Sequence, residues 1–117
     1  MQCGFDPVVA HFVCFHDLED PRGAARRARE AVAADGTWLI VEPFASDLPE
    51  HNHNPVGRVF YSASTMLCVP HSLSQNGPAL GAQAGETRLR DVVTRGGLTR
   101  FRRATQTPFN LVLEARL

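Results

Sequence analysis

Residues 8–20 read VVAHFVCFHDLED and residues 37–43 read TWLIVEP. Each is an apolar run that closes on groups able to hold or move a proton: His16-Asp17 after the first, Glu42 after the second. Runs that are apolar at nearly every position suit parallel strands buried on both faces better than alternating, half-exposed ones. Between them the spacing predicts a helix. Asp20-Pro21 supplies an N-cap and a proline at the first helical position, where the missing N–H costs nothing. Ala24, Ala25, Ala28, Ala31 and Val32 make a narrow stripe of small residues, leaving Arg22, Arg26, Arg27, Arg29 and Glu30 mostly towards water. Asp35-Gly36 is the expected stop, its glycine free to turn left-handed. Strand, helix and strand in succession make a right-handed crossover between parallel neighbours. The strands are expected over Val8 to Phe15 and Thr37 to Val41. His16, Asp17 and Glu42 then share one end of two adjacent strands, where open α/β sheets take their ligands.

The chain has 117 residues, enough for one domain with a core but small for an α/β enzyme with its own cofactor site. Twelve basic and twelve acidic residues cancel, so neither nucleic acid nor an anionic membrane surface is an expected partner. The local exception, Arg100, Arg102 and Arg103, reads as a solvated strand face. No run approaches the roughly 18 apolar residues of a membrane span. The start lacks the basic head and small-residue cleavage site of a signal peptide, and a cytoplasmic location is expected. Cys3, Cys14 and Cys68 are odd in number and widely spaced, indicating neither a disulfide framework nor a zinc site. Buried thiols are expected at Cys14 and Cys68. His11, inside the first apolar run, reads either as a hydrogen-bonded histidine of the core or edge, or as one that contacts a ligand.

Residues 44–54 form a loop whose His51 and His53 have no clear third metal ligand, so a solvated loop is expected. Asn54-Pro55 repeats the cap-plus-proline start. Val56, Val59, Phe60, Ala63, Met66 and Leu67 then fall on one helical face, with Pro70 as the stop. Arg58, Tyr61, Ser62, Thr65 and Cys68 lie opposite. This helix either packs its apolar face on the sheet or serves as a lid over the strand ends. Residues 71–85 turn the chain back through small polar groups, and Gly81 with Gly85 is no phosphate-binding motif without a preceding strand and a following lysine. A helix over Glu86 to Arg95 presents Leu89, Val92 and Val93, and Gly96-Gly97 ends it. Strands at Phe101 to Thr107 and Asn110 to Arg116 have so short a connection that they must be antiparallel.

CFHDLEDP, a helix and DGTWLIVEP together resemble the His-Asp…helix…Glu segment of O-methyltransferases. NPVGRVFYSASTMLCVPHSLSQ and GETRLRDVVTRGGLTRFRRA…FNLVLEAR are similar to a bacterial group within the class I S-adenosylmethionine-dependent methyltransferases. The resemblance runs through essentially the whole chain. It implies an α/β fold: a partial Rossmann-like methyltransferase sheet of four strands, the last antiparallel, flanked by helices. Residues 1–117 would be the carboxyl-terminal half of such a domain, with 44–85 as a lid on the acceptor side. By the same resemblance His16 falls on the general base that takes a proton from an acceptor hydroxyl. Asp17 is the acid beside it, and Glu42 the carboxylate that orients the histidine. Methyl transfer from a sulfonium is an in-line displacement, so the protein mainly aligns donor and acceptor and removes a proton. A histidine suits that last task. Tyr61, Thr65 and His71 are the expected acceptor contacts. The plainer alternative has His16 and Asp17 capping the following helix and Glu42 at a strand end on the surface.

The family's G-x-G-x-G turn and its following acidic residue have no counterpart in this sequence. Phe5-Asp6 and the far end of the first strand would supply only part of an adenine pocket. The expected reading is therefore a truncated methyltransferase acting on a small, hydroxylated acceptor, weak or inactive alone, whose S-adenosylmethionine site is incomplete. The first strand would have an unpaired edge, and such an edge pairs with something or aggregates. A homodimer, or a separate amino-terminal half, is expected there. The alternatives are a non-catalytic protein-interaction module and a metal-binding domain using His51, His53 and His71.

Overall fold

The computed structural model describes residues 8–12 and 14–117, with side chains from Cys14 onward. Cys3, Phe5-Asp6 and the side chain of His11 lie outside the described residues. Strands β1 (Val8–Phe12), β2 (Thr37–Pro43), β3 (Arg100–Gln106) and β4 (Asn110–Arg116) stand in the order β1-β2-β4-β3. Strand β1 runs parallel to β2, with Phe12 opposite Val41. Strand β4 is antiparallel to both β2 and β3, and a bulge interrupts the β3–β4 ladder between Arg103 and Thr105.

Helices α1 (Pro21–Ala31) and α4 (Gly85–Arg95) pack on one face of this sheet. Their Ala25, Ala28, Leu89 and Val93 close over Trp38, Ile40, Leu111, Leu113 and Ala115. Fully burying a large apolar side chain is worth about 1.5–3 kcal/mol, so this layer dominates stability. The two helices approach closely because their contact residues are small. A Cβ on Gly96 would stand 2.4 Å from that of Ala25. Asp20 caps α1 as expected, its Oδ1 accepting from Gly23 N at 2.8 Å. Helix α4 has no cap of its own; Asp47 supplies it from the loop after β2, accepting from Thr87 N and Oγ1 at 2.9 and 2.6 Å. Burial alone would raise the Asp47 carboxyl, but Thr87's hydrogen bonds and the charges of Arg103 and Arg90 hold it below the ordinary carboxylate value. Arg100, Arg102 and Arg103 are exposed but do not share one face: Arg102 pairs with Glu114 of the sheet at 2.6 Å, and Arg103 with Glu86 of α4 at 2.6 Å.

Several boundaries differ from the sequence reading. Strand β1 ends at Phe12 instead of Phe15, and Phe15–Asp17 winds into a 3-10 turn. Two amides of that turn donate to the Glu42 side chain instead of extending the ladder. Helix α1 stops at Ala31, where Val32 turns extended with ψ 131° and buries its side chain. Gly36 is not among the left-handed glycines, and the stop is Val32's departure into the core. Cys14 is exposed instead of buried.

The largest difference lies in the helical arm that crosses the strand ends. Helix α2 (Pro55–Ala63) continues through a π turn (Ser64–Cys68) into α3 (Val69–Ser74), so Pro70 does not stop it. In the π turn Val69 N–H donates to Ser64 O. The proline then falls in the first turn of α3, where its ring and missing N–H are tolerated. The extra residue also shifts the helical phase by about 100°. The face turned inward is Gly57, Ser64 and Ser72. Val59, Met66 and Leu67, expected to be packed, are 65, 76 and 68% exposed. Among the described residues no helix is long and apolar enough to cross a membrane.

Candidate active site

The 3-10 turn after β1 is anchored by Phe15, which is fully buried and meets Trp38 edge to face at 5.3 Å between centroids. That contact fixes where the next residue, His16, must sit. Opposite it, the register Phe12↔Val41 brings the end of β2 alongside, and Glu42 reaches across. Glu42 Oε1 accepts from Phe15 N at 2.9 Å, and Oε2 accepts from His16 N at 3.3 Å and from His16 Nδ1. A carboxylate that is only 1% exposed would be costly without partners; three donors supply them.

Because the carboxylate can only accept, the shared proton stands on Nδ1 in the neutral imidazole. That leaves the Nε2 lone pair facing the helical arm, where Cys68 Sγ lies 3.3 Å from it. The π turn delivers this sulfur: Cys68 is its last residue and the half-buried member of the inward face. Burial raises the Cys68 thiol above its ordinary value, and the charges of Asp17 and Glu42 raise it further. Asp17 itself is half-buried, and its Oδ1 finds no hydrogen-bond partner among the described residues.

The structure therefore brings His16 and Glu42 into contact, sets Asp17 beside them, and adds Cys68. Sequence reasoning had placed Cys68 on the face opposite the apolar stripe without giving it a role. Its one signal was position: Tyr61, Thr65 and Cys68 share a helical face, and the π turn selects the last of them. Tyr61 instead lines a hollow of about 310 Å³ with Asn52, His53, Asn54 and Arg58. Thr65 is exposed, and His71 is exposed with its Nε2 against Gln75 Nε2 at 3.2 Å. None of these three stands against the imidazole. His51 and His53 are also exposed, and among the described residues no three His, Cys, Asp or Glu side chains gather closely enough for a metal ion. A hollow of about 780 Å³ opens elsewhere, between the start of α1 and α4, and is lined by charges of both signs.

The loop between α3 and α4 holds the arm in place through serine hydroxyls. Ser64 Oγ accepts from Ala82 N at 3.0 Å, and Ser72 Oγ from Ala79 N at 3.0 Å. Ala79 and Asn76 adopt left-handed backbone angles (φ 52° and 58°), as does Gly81.

The chain is similar in fold to an O-methyltransferase family protein from Burkholderia thailandensis. The two are 19% identical with a TM-score of 0.60, over 94% of this chain and 30% of that one. The chain thus spans about a third of that protein's length. No protein-family model matches it, and no curated protein does.

Proposed function

We propose that the chain forms the acceptor side of a methyl-transferring domain of the S-adenosylmethionine-dependent type. His16 takes the proton from a hydroxyl of a small acceptor, and Glu42 fixes the imidazole's tautomer and direction. Asp17, beside them, is available to a donor group of the acceptor. The observation that carries this reading is the buried pair of His16 Nδ1 and Glu42, which leaves Nε2 facing the helical arm, within a methyltransferase-like fold. An oriented imidazole near a hydroxyl is what general-base removal of a proton requires.

Methyl transfer also needs a sulfonium donor, and the residues described here do not fit one. The left-handed glycines Gly81 and Gly85 follow a helix, not a strand. The space their missing Cβ atoms leave is taken by Ser64 Oγ at 2.5 Å and Asp47 Oδ1 at 2.6 Å. A glycine cradle open to a ligand is absent among the described residues, so these residues serve the acceptor only. Calorimetry of the chain with S-adenosylmethionine should show no micromolar binding, and such binding would overturn this division. Titration with a simple phenol, followed by NMR of the His16 ring nitrogens, should perturb that imidazole before His51 or His71. A phenol that leaves His16 untouched removes the acceptor role.

A second reading, a protein-interaction module, draws on a separate observation. Val59, Met66, Leu67 and Leu73 stand exposed along the arm, and β1 lies at the end of the strand order. A second copy, or a separate amino-terminal half, would pair with that strand edge. Light scattering across a concentration series, read with the phenol titration, separates the two readings: a dimer whose His16 ignores phenol favours the module.

A further inference from the structure

We propose that Cys68 is a nucleophilic thiol served by His16, and that the site takes small electrophiles carrying an activated carbon–carbon double bond. This goes beyond the acceptor reading and does not rest on it. The geometry is that of a nucleophile, a base and an orienting acid in sequence. Cys68 Sγ lies 3.3 Å from His16 Nε2, and His16 Nδ1 donates to Glu42. The imidazole and the carboxylate are 4% and 1% exposed, whereas Cys68 is only half-buried. An electrophile therefore reaches the sulfur from outside, while the base behind it stays dry.

The π turn makes the arrangement possible. It ends on Cys68 and is tied down on its inner side by Ser64, whose hydroxyl accepts from Ala82 N. Such turns recur at functional positions because they re-aim one side chain without ending the helix. The surroundings also set the manner of attack. Burial, with the Asp17 and Glu42 charges, keeps the thiol protonated at rest, so its proton leaves during the attack and not before it.

The step balances without a co-reactant. As Sγ bonds to the β-carbon of the alkene, the S–H proton passes to Nε2. The π pair moves to the α-carbon, forming an enolate stabilised by the adjacent carbonyl. The imidazolium then returns the proton to the α-carbon, leaving a thioether and a neutral histidine. Nothing is expelled, and no external oxidant or reductant takes part.

Acrylamide is a suitable probe, and glutathione added to the same solution is an unassisted reference thiol. The full chain is treated with limiting acrylamide, digested, and the adducts at residue 68 and on glutathione are counted by mass spectrometry. At neutral pH Cys68 should gain adduct at least about tenfold faster than glutathione, in keeping with the usual size of general-base assistance. Between pH 6 and 8 its rate should rise far less steeply than the roughly tenfold per unit of an unassisted thiol, which reacts only through its thiolate fraction. His16→Gln should slow Cys68 about tenfold and restore the steep slope. Should that variant fail to fold, the slope in the unaltered chain decides alone. Equal rates at Cys68 and glutathione, or a steep slope at Cys68 in the unaltered chain, would overturn the proposal.

Discussion

The sheet layer and the helical arm are held by different physics. In the layer, α1 and α4 close over Trp38, Ile40, Leu111 and Leu113, and the contacts are apolar and fully buried. In the arm the inward face is Gly57, Ser64 and Ser72, while Val59, Met66, Leu67 and Leu73 face out. Two serine hydroxyls receiving backbone amides tie the arm to the 76–84 loop. Each such bond is worth about 1 kcal/mol net, against several for a large core side chain. The site sits where the two regimes meet. His16 and Glu42 belong to the rigid layer, and Cys68 belongs to the loosely tied arm. Elements with few buried apolar contacts open first, so the arm can lift from the imidazole without disturbing the sheet.

The comparison breaks if substitutions in the two regions cost the same. Trp38→Ala should have the largest effect, a loss of about 3–5 kcal/mol in urea unfolding, because its indole fills the centre of the layer. Glu42→Gln comes next, at about 1–3 kcal/mol. The amide retains one acceptor oxygen where the carboxylate used two, and it turns an N–H₂ towards donors. The same variant should shift the His16 ring-nitrogen resonances, whereas a substitution elsewhere in the layer should not. Ser72→Ala should cost only about 1 kcal/mol by the same measurement. Met66→Ser, on the outer face of the arm, should stay within about 0.5 kcal/mol; a larger loss would mean that something covers that face.

A further small effect concerns Asp47, which caps α4 from outside the helix. Asp47→Asn should cost about 0.5 kcal/mol at neutral pH, a cap contribution reduced by the exposure of the site. The folded carboxyl lies below its ordinary value, so folding favours the ionised form. Its contribution is therefore full above the ordinary carboxyl range near pH 4, and disappears as pH falls through the lower folded value. Urea midpoints of the two proteins should differ at pH 7 and converge in acid.

Much of the layer was legible in the sequence. The Asp20-Pro21 start, the Leu89, Val92 and Val93 face, and the antiparallel β3–β4 pair are local signals, and each appears in the structure. The meeting of His16 with Glu42 was legible as well, because two apolar runs flanking a helix fix which strand ends coincide. The arm was not. A π turn has no residue signature, and its extra residue moves later side chains off the face that helical periodicity assigns; Val59, ahead of the turn, already faces out because the inward stripe there is Gly57 and Ser64. The choice between Met66 and Ser64 as the inward residue is tied to the amide of residue 82, which lies in a separate loop and carries no trace in the helix's own sequence. Cys68 gained its neighbour by the same displacement. The length of β1 was misread for a related reason: its last amides answer to a carboxylate twenty-six and twenty-seven residues away.

Glu42 does two jobs with one functional group. The oxygens that aim the imidazole are also the latch that closes the Phe15–Asp17 turn, so a substitution that retunes the base loosens the joint beneath it. Variation at this site is thereby channelled to the opposite side of the ring. There residue 68 can change without unfastening anything, and a lineage built on this scaffold would diversify its chemistry from the arm inward.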